Sequence, residues 1–189
     1  YRSFFRMSVD RKKPIQWLAL CGLLLLVGCL VEEEELPKFD GEMVLAVSWQ
    51  PGFCETRPRL PECRSQKKGR FDVTHFSLHG LWPQPRSEAY CGVSEDERRR
   101  STQRQWSRLQ GLGLSEDLQL RLLKVMPGAR SFLHRHDWVK HGTCYADEPN
   151  ISFEDSLIPM EQVHNSSLTH LFSRNIGKQL TARQHPRSW

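Results

Sequence analysis

Two short segments of the 189-residue sequence group ionisable side chains in a way that suits acid–base chemistry. The first, residues 76–83, carries His79 and Trp82. The second, residues 136–144, reads His-Asp-Trp-Val-Lys-His-Gly-Thr-Cys. Histidine moves protons well near neutrality because its ordinary pKa is about 6.5. A neighbouring lysine can hold negative charge, so the two segments together indicate proton transfer at a phosphate ester.

A helical wheel places the ionisable groups of the second segment on one side. At about 100° per residue from His136, Lys140 falls near 40°, Asp137 near 100° and His141 near 140°. The Trp-Val pair between them falls on the opposite side. This division is typical of an amphipathic helix that lines a cleft. The alternative is a charged helix face exposed to solvent.

The chemistry that fits this set is cleavage of a ribose phosphodiester. The nucleophile is then the substrate's own 2′-OH, so the sequence predicts no protein nucleophile, no metal and no cofactor. One imidazole removes the 2′-OH proton, and another protonates the departing 5′-oxygen. A lysine and a third, protonated imidazole stabilise the charge of the transition state. Trp82 can stack on a base of single-stranded RNA.

A zinc hydrolase is the competing interpretation of the histidines. A helical zinc site of that class takes histidines at positions i and i+4. His136 and His141 are five apart, and they diverge by about 140° on the wheel. The spacing therefore argues against a metal site.

Periodic patterns predict the elements that position these segments. Residues 43–50 form a β-rich run that stops at Pro51-Gly52, and residues 71–79 alternate with period two, so a second strand should deliver His79 at its end. The sequence therefore predicts an α+β fold in one domain.

Helix signals follow the strands. Ser94 begins a capping box for a helix that runs towards Trp106, which is expected in the core, and Ser115 caps the next helix. Further helices are expected over residues 131–141, 152–163 and 167–175.

The first part of the chain is typical of an export leader. Residues 1–28 combine basic residues with an apolar run over 15–27, shorter than the ~20 residues of a transmembrane helix. Residues 26–29 read Leu-Val-Gly-Cys and resemble a bacterial lipobox, which predicts a lipid anchor through Cys29. A plain cleaved signal is the alternative. A periplasmic or membrane-anchored protein is predicted, or else a secreted one.

Residues 29–40 contain four consecutive glutamates and are interpreted as an acidic tether, which leaves residues 41–189 as the domain. The net charge is +5 over the whole chain, and it is again +5 once the basic leader and the tether glutamates are left out. A mildly basic domain is compatible with a polyanionic substrate. An even number of cysteines in an exported domain predicts two disulfides, with three pairings open, among Cys54, Cys63, Cys91 and Cys144.

The two histidine segments resemble the active-site segments of the ribonuclease T(2) family, with a likeness that runs from about residue 44 to residue 178. The resemblance implies an antiparallel sheet packed against several helices, as in ribonuclease Rh. It also implies one cleft lined by both segments. The implied products are a 2′,3′-cyclic phosphate and a 5′-hydroxyl, made without a metal.

The resemblance implies a role for each ionisable residue. His141 would be the base and His79 the acid for the leaving group. His136 would bind the phosphate, and Asp137 and Lys140 would support the transition state.

The resemblance also implies contacts with a base and a disulfide pattern. Trp82 would contact a base of the RNA, and Tyr90 is a further candidate. The implied disulfides pair Cys91 with Cys144, which leaves Cys54 with Cys63.

The chain departs from the family at two places. The family usually has glutamate where this chain has Asp137, and its domain continues beyond the equivalent of Lys178 with further strand structure. The C-terminal part of residues 41–189 is therefore expected to lack that continuation. The sequence predicts a monomeric, exported endoribonuclease acting on single-stranded RNA. The alternative is an inactive, membrane-anchored RNA-binding remnant of the same fold.

Overall fold

The computed structural model describes residues 38–180. The leader over residues 1–28, the lipidation site Cys29, most of the tether and residues 181–189 lie outside the described residues, so the predictions made for them stay predictions. Within residues 38–180, no helix is both long and apolar enough to cross a membrane.

Two antiparallel strands form one side of the hydrophobic core. Strand β1 is Met43–Trp49 and strand β2 is Phe76–Pro83. Their core-facing positions lie opposite one another in the pairs Met43–Pro83, Leu45–Leu81, Val47–Leu78 and Trp49–Phe76. Cross-strand apolar pairs of this kind stabilise a sheet and set its register. The antiparallel arrangement predicted from the sequence is confirmed.

A β-bulge interrupts this register in the middle of β2. Ala46 lies opposite Gly80, whereas Val47 lies opposite Leu78, so His79 is the extra residue. One added residue reverses the side-chain alternation beyond it. Leu78 and Leu81 therefore share the core face although they are three residues apart.

The structure also corrects the predicted bounds of β2. Residues 71–79 do not form one strand: Phe71–Val73 is a 3₁₀ turn, and His79 lies inside β2 instead of at its end. The physical reason is Asp72, which is buried and receives two hydrogen bonds of 2.8 Å from the guanidinium of Arg70. A buried carboxylate must be paired in this way, and the ion pair favours a turn.

Helices pack around the two strands. They are α1 (Gln50–Thr56), α2 (Pro61–Arg64), α3 (Glu95–Thr102), α4 (Glu116–Val125), α5 (Leu133–Asp137), α6 (Thr143–Tyr145), α7 (Pro149–His164) and α8 (Ser167–Arg174). A π-helical turn joins α5 to α6 at Trp138–Gly142, and 3₁₀ turns lie at Trp106–Arg108 and Pro127–Ser131. The α+β class with an antiparallel sheet packed against several helices is confirmed.

Capping residues explain where several helices begin. The hydroxyl oxygens of Ser94 and Ser115 accept backbone N–H groups in the first turns of α3 and α4, as the sequence predicts. Helix α1 was not expected, because Pro51-Gly52 was interpreted as a stop. Proline is tolerated in the first turn of a helix, where its missing N–H would have had no intrahelical partner.

The core lies between the two strands and helices α4, α7 and α8. Leu118 of α4, Phe153 and Met160 of α7, and Leu168 of α8 are at most 2% exposed. Burying each such side chain contributes about 1.5–3 kcal/mol. The core therefore covers one face of β2. The opposite face of β2 contacts helix α5 and the π turn.

Two disulfides cross-link this framework. Cys54 is bonded to Cys63 and Cys91 to Cys144, the pairing that the family resemblance implies. The second bond joins the loop after β2 to α6, at the end of the second histidine segment.

Gly80 allows β2 and α5 to approach closely. A Cβ at this position would overlap the carboxyl group of Asp137. We expect Gly80→Ala to lower the free energy of unfolding by about 1–3 kcal/mol, because the added methyl group overpacks this contact. Urea unfolding followed by circular dichroism measures the change.

Gly111→Ala is the matched control, because no heavy atom lies within 4 Å of a Cβ built there. Equal stability of the Gly80→Ala variant and the unmodified protein would contradict the proposed close approach.

Candidate active site

The indole of Trp82 brings the two histidine segments together. Its ring centroid lies 5.6 Å from that of His79 and 5.0 Å from that of His141. The indole and the His141 ring are stacked at 20°, whereas His79 meets the indole at 84°. The two imidazole centroids are therefore no farther apart than the sum of those two distances. The bulge makes this possible, because it places His79 and Trp82 on one face of β2.

The indole N–H of Trp82 holds the second segment in place. It donates a hydrogen bond of 3.0 Å to Oδ1 of Asp137. Asp137 is only 5% exposed and lies against Gly80, so its carboxyl group fills the space between β2 and α5. This contact links a strand residue to a helix residue 55 positions later.

The π turn changes the geometry that the helical wheel assumed. Helix α5 ends at Asp137, and Trp138–Gly142 follows with a π-helical turn. A π-helical turn, with hydrogen bonds from i to i+5, winds differently from the α-helix that the wheel assumed, so the divergence of about 140° between His136 and His141 does not carry over to the structure. The two rings are close enough for His136 to affect the pKa of His141.

Three residues that the sequence analysis did not assign to the site surround these histidines. Trp106 was expected in the core, yet its indole stacks on the His136 ring at 4.9 Å between centroids. Ser101 on α3 lies with its Oγ 2.6 Å from Nδ1 of His136. Arg104 follows α3 with a positive φ of 59° and adds to the positive potential at His136. The spacing of these residues gives no signal, because they come from another part of the chain, at the end of α3 and in the segment that follows it.

Burial lowers the pKa values of two imidazoles. Desolvation, followed by the charge of Lys140, lowers the pKa of His141 to about 3. The same two causes lower the pKa of His136 to about 4, with smaller effects of His79 and Arg104. Both rings are therefore neutral at pH 7. This suits a base at His141, but it opposes the expectation that a third imidazole is protonated.

Burial raises the pKa of Asp137 to about 8. The Trp82 hydrogen bond and the charge of Lys140 act in the opposite direction, because both favour the carboxylate. A carboxyl group with this pKa carries its proton through much of the neutral range. Asp137 can then donate a hydrogen bond, which a carboxylate cannot do.

Tyr90 reaches the site from the loop after β2. Its backbone N–H donates to the carbonyl oxygen of Lys140 at 2.9 Å, and the neighbouring Cys91–Cys144 disulfide fixes the loop on α6. Its hydroxyl lies 3.3 Å from the Oγ of Ser101. The suggested contact between Tyr90 and a base stays a prediction.

The structure thus brings His79, Trp82, His136, Asp137 and His141 together at the contact between β2 and the α5–π turn. Lys140 lies on the same turn, and its charge acts on both His136 and His141. Among residues 38–180, no group of three or more His, Cys, Asp or Glu side chains has an arrangement that could hold a metal ion.

Comparison with known proteins gives consistent matches. The model of the Ribonuclease T2 family matches residues 40–177. Ribonuclease I of Escherichia coli (strain K12) is 33% identical over 182 residues, which cover 81% of this chain and 65% of that protein. A ribonuclease of Aeromonas hydrophila is 31% identical over 130 residues, which cover 67% of this chain and 49% of that protein. The matched regions therefore span 65% and 49% of the lengths of these curated relatives.

The hydrogen bond from Trp82 to Asp137 gives a testable titration. We expect Trp82→Phe to raise the pKa of Asp137 above about 8, because the indole N–H stabilises the carboxylate and phenylalanine cannot replace it. The ¹³C resonance of the Asp137 carboxyl group, followed against pH, measures the change.

Trp106→Phe is the matched control, because that indole donates to the carbonyl oxygen of Ser101 and not to Asp137. An unchanged titration of Asp137 in the Trp82→Phe variant would show that this hydrogen bond does not govern its ionisation.

Proposed function

The chain belongs to the Ribonuclease T2 family, and from this premise we propose that it is an exported endoribonuclease that cleaves single-stranded RNA by metal-independent transesterification. The curated relatives named above are ribonucleases. The observation that carries the proposal is the shared contact of His79 and His141 with the indole of Trp82. It brings imidazoles from two distant segments into contact with one indole.

In the proposed reaction, Nε2 of neutral His141 accepts the proton of the ribose 2′-OH, since Nδ1 of the same ring is buried. The 2′-oxygen then forms a bond to phosphorus, and the bond between phosphorus and the 5′-oxygen breaks. Protonated His79 gives its proton to that 5′-oxygen. The products are a 2′,3′-cyclic phosphate and a 5′-hydroxyl. The negative charge of the bound phosphate raises the pKa of nearby imidazoles, which helps His141 to accept a proton.

The remaining ionisable groups are proposed to hold the phosphate. Lys140 supplies positive charge beside both His136 and His141. His136 binds a phosphate oxygen through a ring N–H, and protonated Asp137 donates a hydrogen bond to the transition state. Such preoriented donors in a buried site are worth more than they would be in water. Trp82 and Tyr90 are the proposed contacts with a base.

Export is supported by the two disulfides, because such bonds persist in oxidising compartments. A periplasmic or secreted location fits this chemistry. The lipid anchor at Cys29 and the monomeric state stay predictions, as does the division of the chain into leader, tether and domain.

Cleavage without metal is the direct test. We expect the purified protein to cut single-stranded RNA in EDTA and to leave 2′,3′-cyclic phosphate ends, because the substrate supplies its own nucleophile. Mass spectrometry of the termini detects these ends. Intact RNA would favour the non-catalytic RNA-binding alternative, and loss of cleavage only in EDTA would indicate a metal-dependent enzyme.

The same assay tests the two proposed proton carriers. His79→Ala and His141→Ala should abolish cleavage while circular dichroism shows an unchanged fold. His170→Ala is the matched control, since this histidine is exposed on α8. Activity of either variant close to that of the unmodified protein would remove the assignment.

The lowered pKa of His141 also predicts how kcat/KM changes as the pH falls below 7. A base must be neutral, and His141 stays neutral down to about pH 3 because burial lowers its pKa. We therefore expect kcat/KM to hold between pH 7 and 5 and to fall only below about pH 4, where His136 also becomes protonated. Initial rates on a dinucleoside phosphate measure this profile.

Circular dichroism at each pH is the control for unfolding. A decline of kcat/KM centred near the ordinary histidine pKa of about 6.5 would contradict the assignment of a buried imidazole as the base.

A further inference from the structure

His136 is held at both its ring face and one ring nitrogen. The indole of Trp106 covers the face, with an angle of 21° between the ring planes. The Oγ of Ser101 lies 2.6 Å from Nδ1. The opposite nitrogen, Nε2, is therefore the one that can meet a substrate. What Nε2 can do there depends on which nitrogen carries the hydrogen.

Ser101 is itself firmly placed. It lies near the end of α3 and is 1% exposed. Its carbonyl oxygen accepts a hydrogen bond of 3.0 Å from the indole N–H of Trp106, so the same residue anchors both groups that contact His136. Its Oγ lies 3.3 Å from the hydroxyl of Tyr90. The loop and helix around Ser101 leave its side chain little freedom to rotate. Its buried hydroxyl therefore acts on neighbouring groups through hydrogen bonds.

Tyr90, Ser101 and His136 form a series of hydrogen bonds, and one choice of donors and acceptors satisfies the whole series. If Tyr90 donates to Ser101, and Ser101 donates to Nδ1 of His136, then every hydroxyl hydrogen has an acceptor. In the reverse direction, Nδ1–H donates to Ser101, and the hydroxyl hydrogen of either Ser101 or Tyr90 needs an acceptor elsewhere. Within residues 38–180, the one hydrogen bond of the Tyr90 hydroxyl is with Ser101. The reverse direction would also turn the Nε2 lone pair towards the negative phosphate.

We infer that Ser101, supported by Tyr90, is a positioning residue that holds His136 as the Nε2–H tautomer, so that the neutral ring donates to an oxygen of the RNA phosphate. The inference rests on the proposed function for the identity of that phosphate. It explains how a buried imidazole can bind an anion without being charged. A ring that had to be protonated would lose this role at neutral pH, because burial and Lys140 lower the pKa of His136 to about 4.

Two roles for Ser101 make different predictions. A serine that only fills space would affect folding and leave the His136 nitrogens unchanged. A positioning serine changes the state of Nδ1. Nitrogen-15 NMR distinguishes a ring nitrogen that carries hydrogen, one that accepts a hydrogen bond and one that does neither. The measurement uses the protein without RNA, so it does not depend on cleavage.

The experiment compares the unmodified protein with Ser101→Ala, Ser101→Thr and Tyr90→Phe, with Ser107→Ala as the control because Ser107 is exposed on the neighbouring 3₁₀ turn. We expect hydrogen on Nε2 of His136 and a hydrogen-bonded lone pair on Nδ1. Ser101→Ala should move the Nδ1 resonance to that of a free lone pair, and Ser101→Thr should restore it. At pH 7, kcat/KM should fall about tenfold in Ser101→Ala and recover in Ser101→Thr.

Hydrogen on Nδ1 in the unmodified protein would overturn the inference, as would an Nδ1 resonance that Ser101→Ala leaves unchanged. Tyr90→Phe keeps both Ser101 and the ring volume, and it should weaken the same Nδ1 signature by a smaller amount. This variant provides the test if Ser101→Ala fails to fold. A protein that shows the expected Nδ1 signature but cuts no RNA supports the positioning role and refutes the proposed reaction. A protein that cuts RNA but carries hydrogen on Nδ1 supports the proposed reaction and refutes the positioning role.

Discussion

The site depends on the approach of the Asp137 carboxyl group to the backbone of Gly80 and to the indole N–H of Trp82. This contact joins β2 to the end of α5, and it requires both a residue without a Cβ and a donor aimed at the buried carboxyl group. The stack of His141 on Trp82 follows from it, because His141 lies one turn beyond Asp137. The arrangement of both histidine segments therefore rests on a packing interaction between a strand and a helix.

Two local irregularities, a β-bulge and a π turn, complete the arrangement. In a regular strand, His79 and Trp82 would face opposite sides of the sheet, since they are three residues apart. In a regular helix, the rings of His136 and His141 would diverge. The bulge in β2 puts His79 and Trp82 on a common face, and the π turn after α5 changes the winding between His136 and His141. Bulges and π turns often occur beside functional sites for this reason.

Burial links the electrostatics of the site to its stability. The pKa values of His136 and His141 are lowered, so the stability that these neutral rings contribute is complete above about pH 6.5 and is lost as the pH falls towards about 4 and about 3. Asp137 has the opposite dependence: its pKa is raised to about 8, so its contribution is lost as the pH rises through that value. Desolvation is the largest cause of all three shifts, and it keeps His136, His141 and Asp137 uncharged in mildly acidic conditions beside the positive charge of Lys140.

The α+β class, the caps at Ser94 and Ser115 and the residue types of the candidate site could be predicted from the sequence, because they depend on local periodicity and on side-chain pKa values. The stacking of Trp106 on His136 and the contact of Ser101 with Nδ1 of the same ring could not be predicted, because they depend on how distant segments pack. The same holds for the β-bulge, in which His79 is the extra residue. A bulge, a π turn and a contact between distant segments are set by packing across the chain, and packing of this kind has no local sequence period.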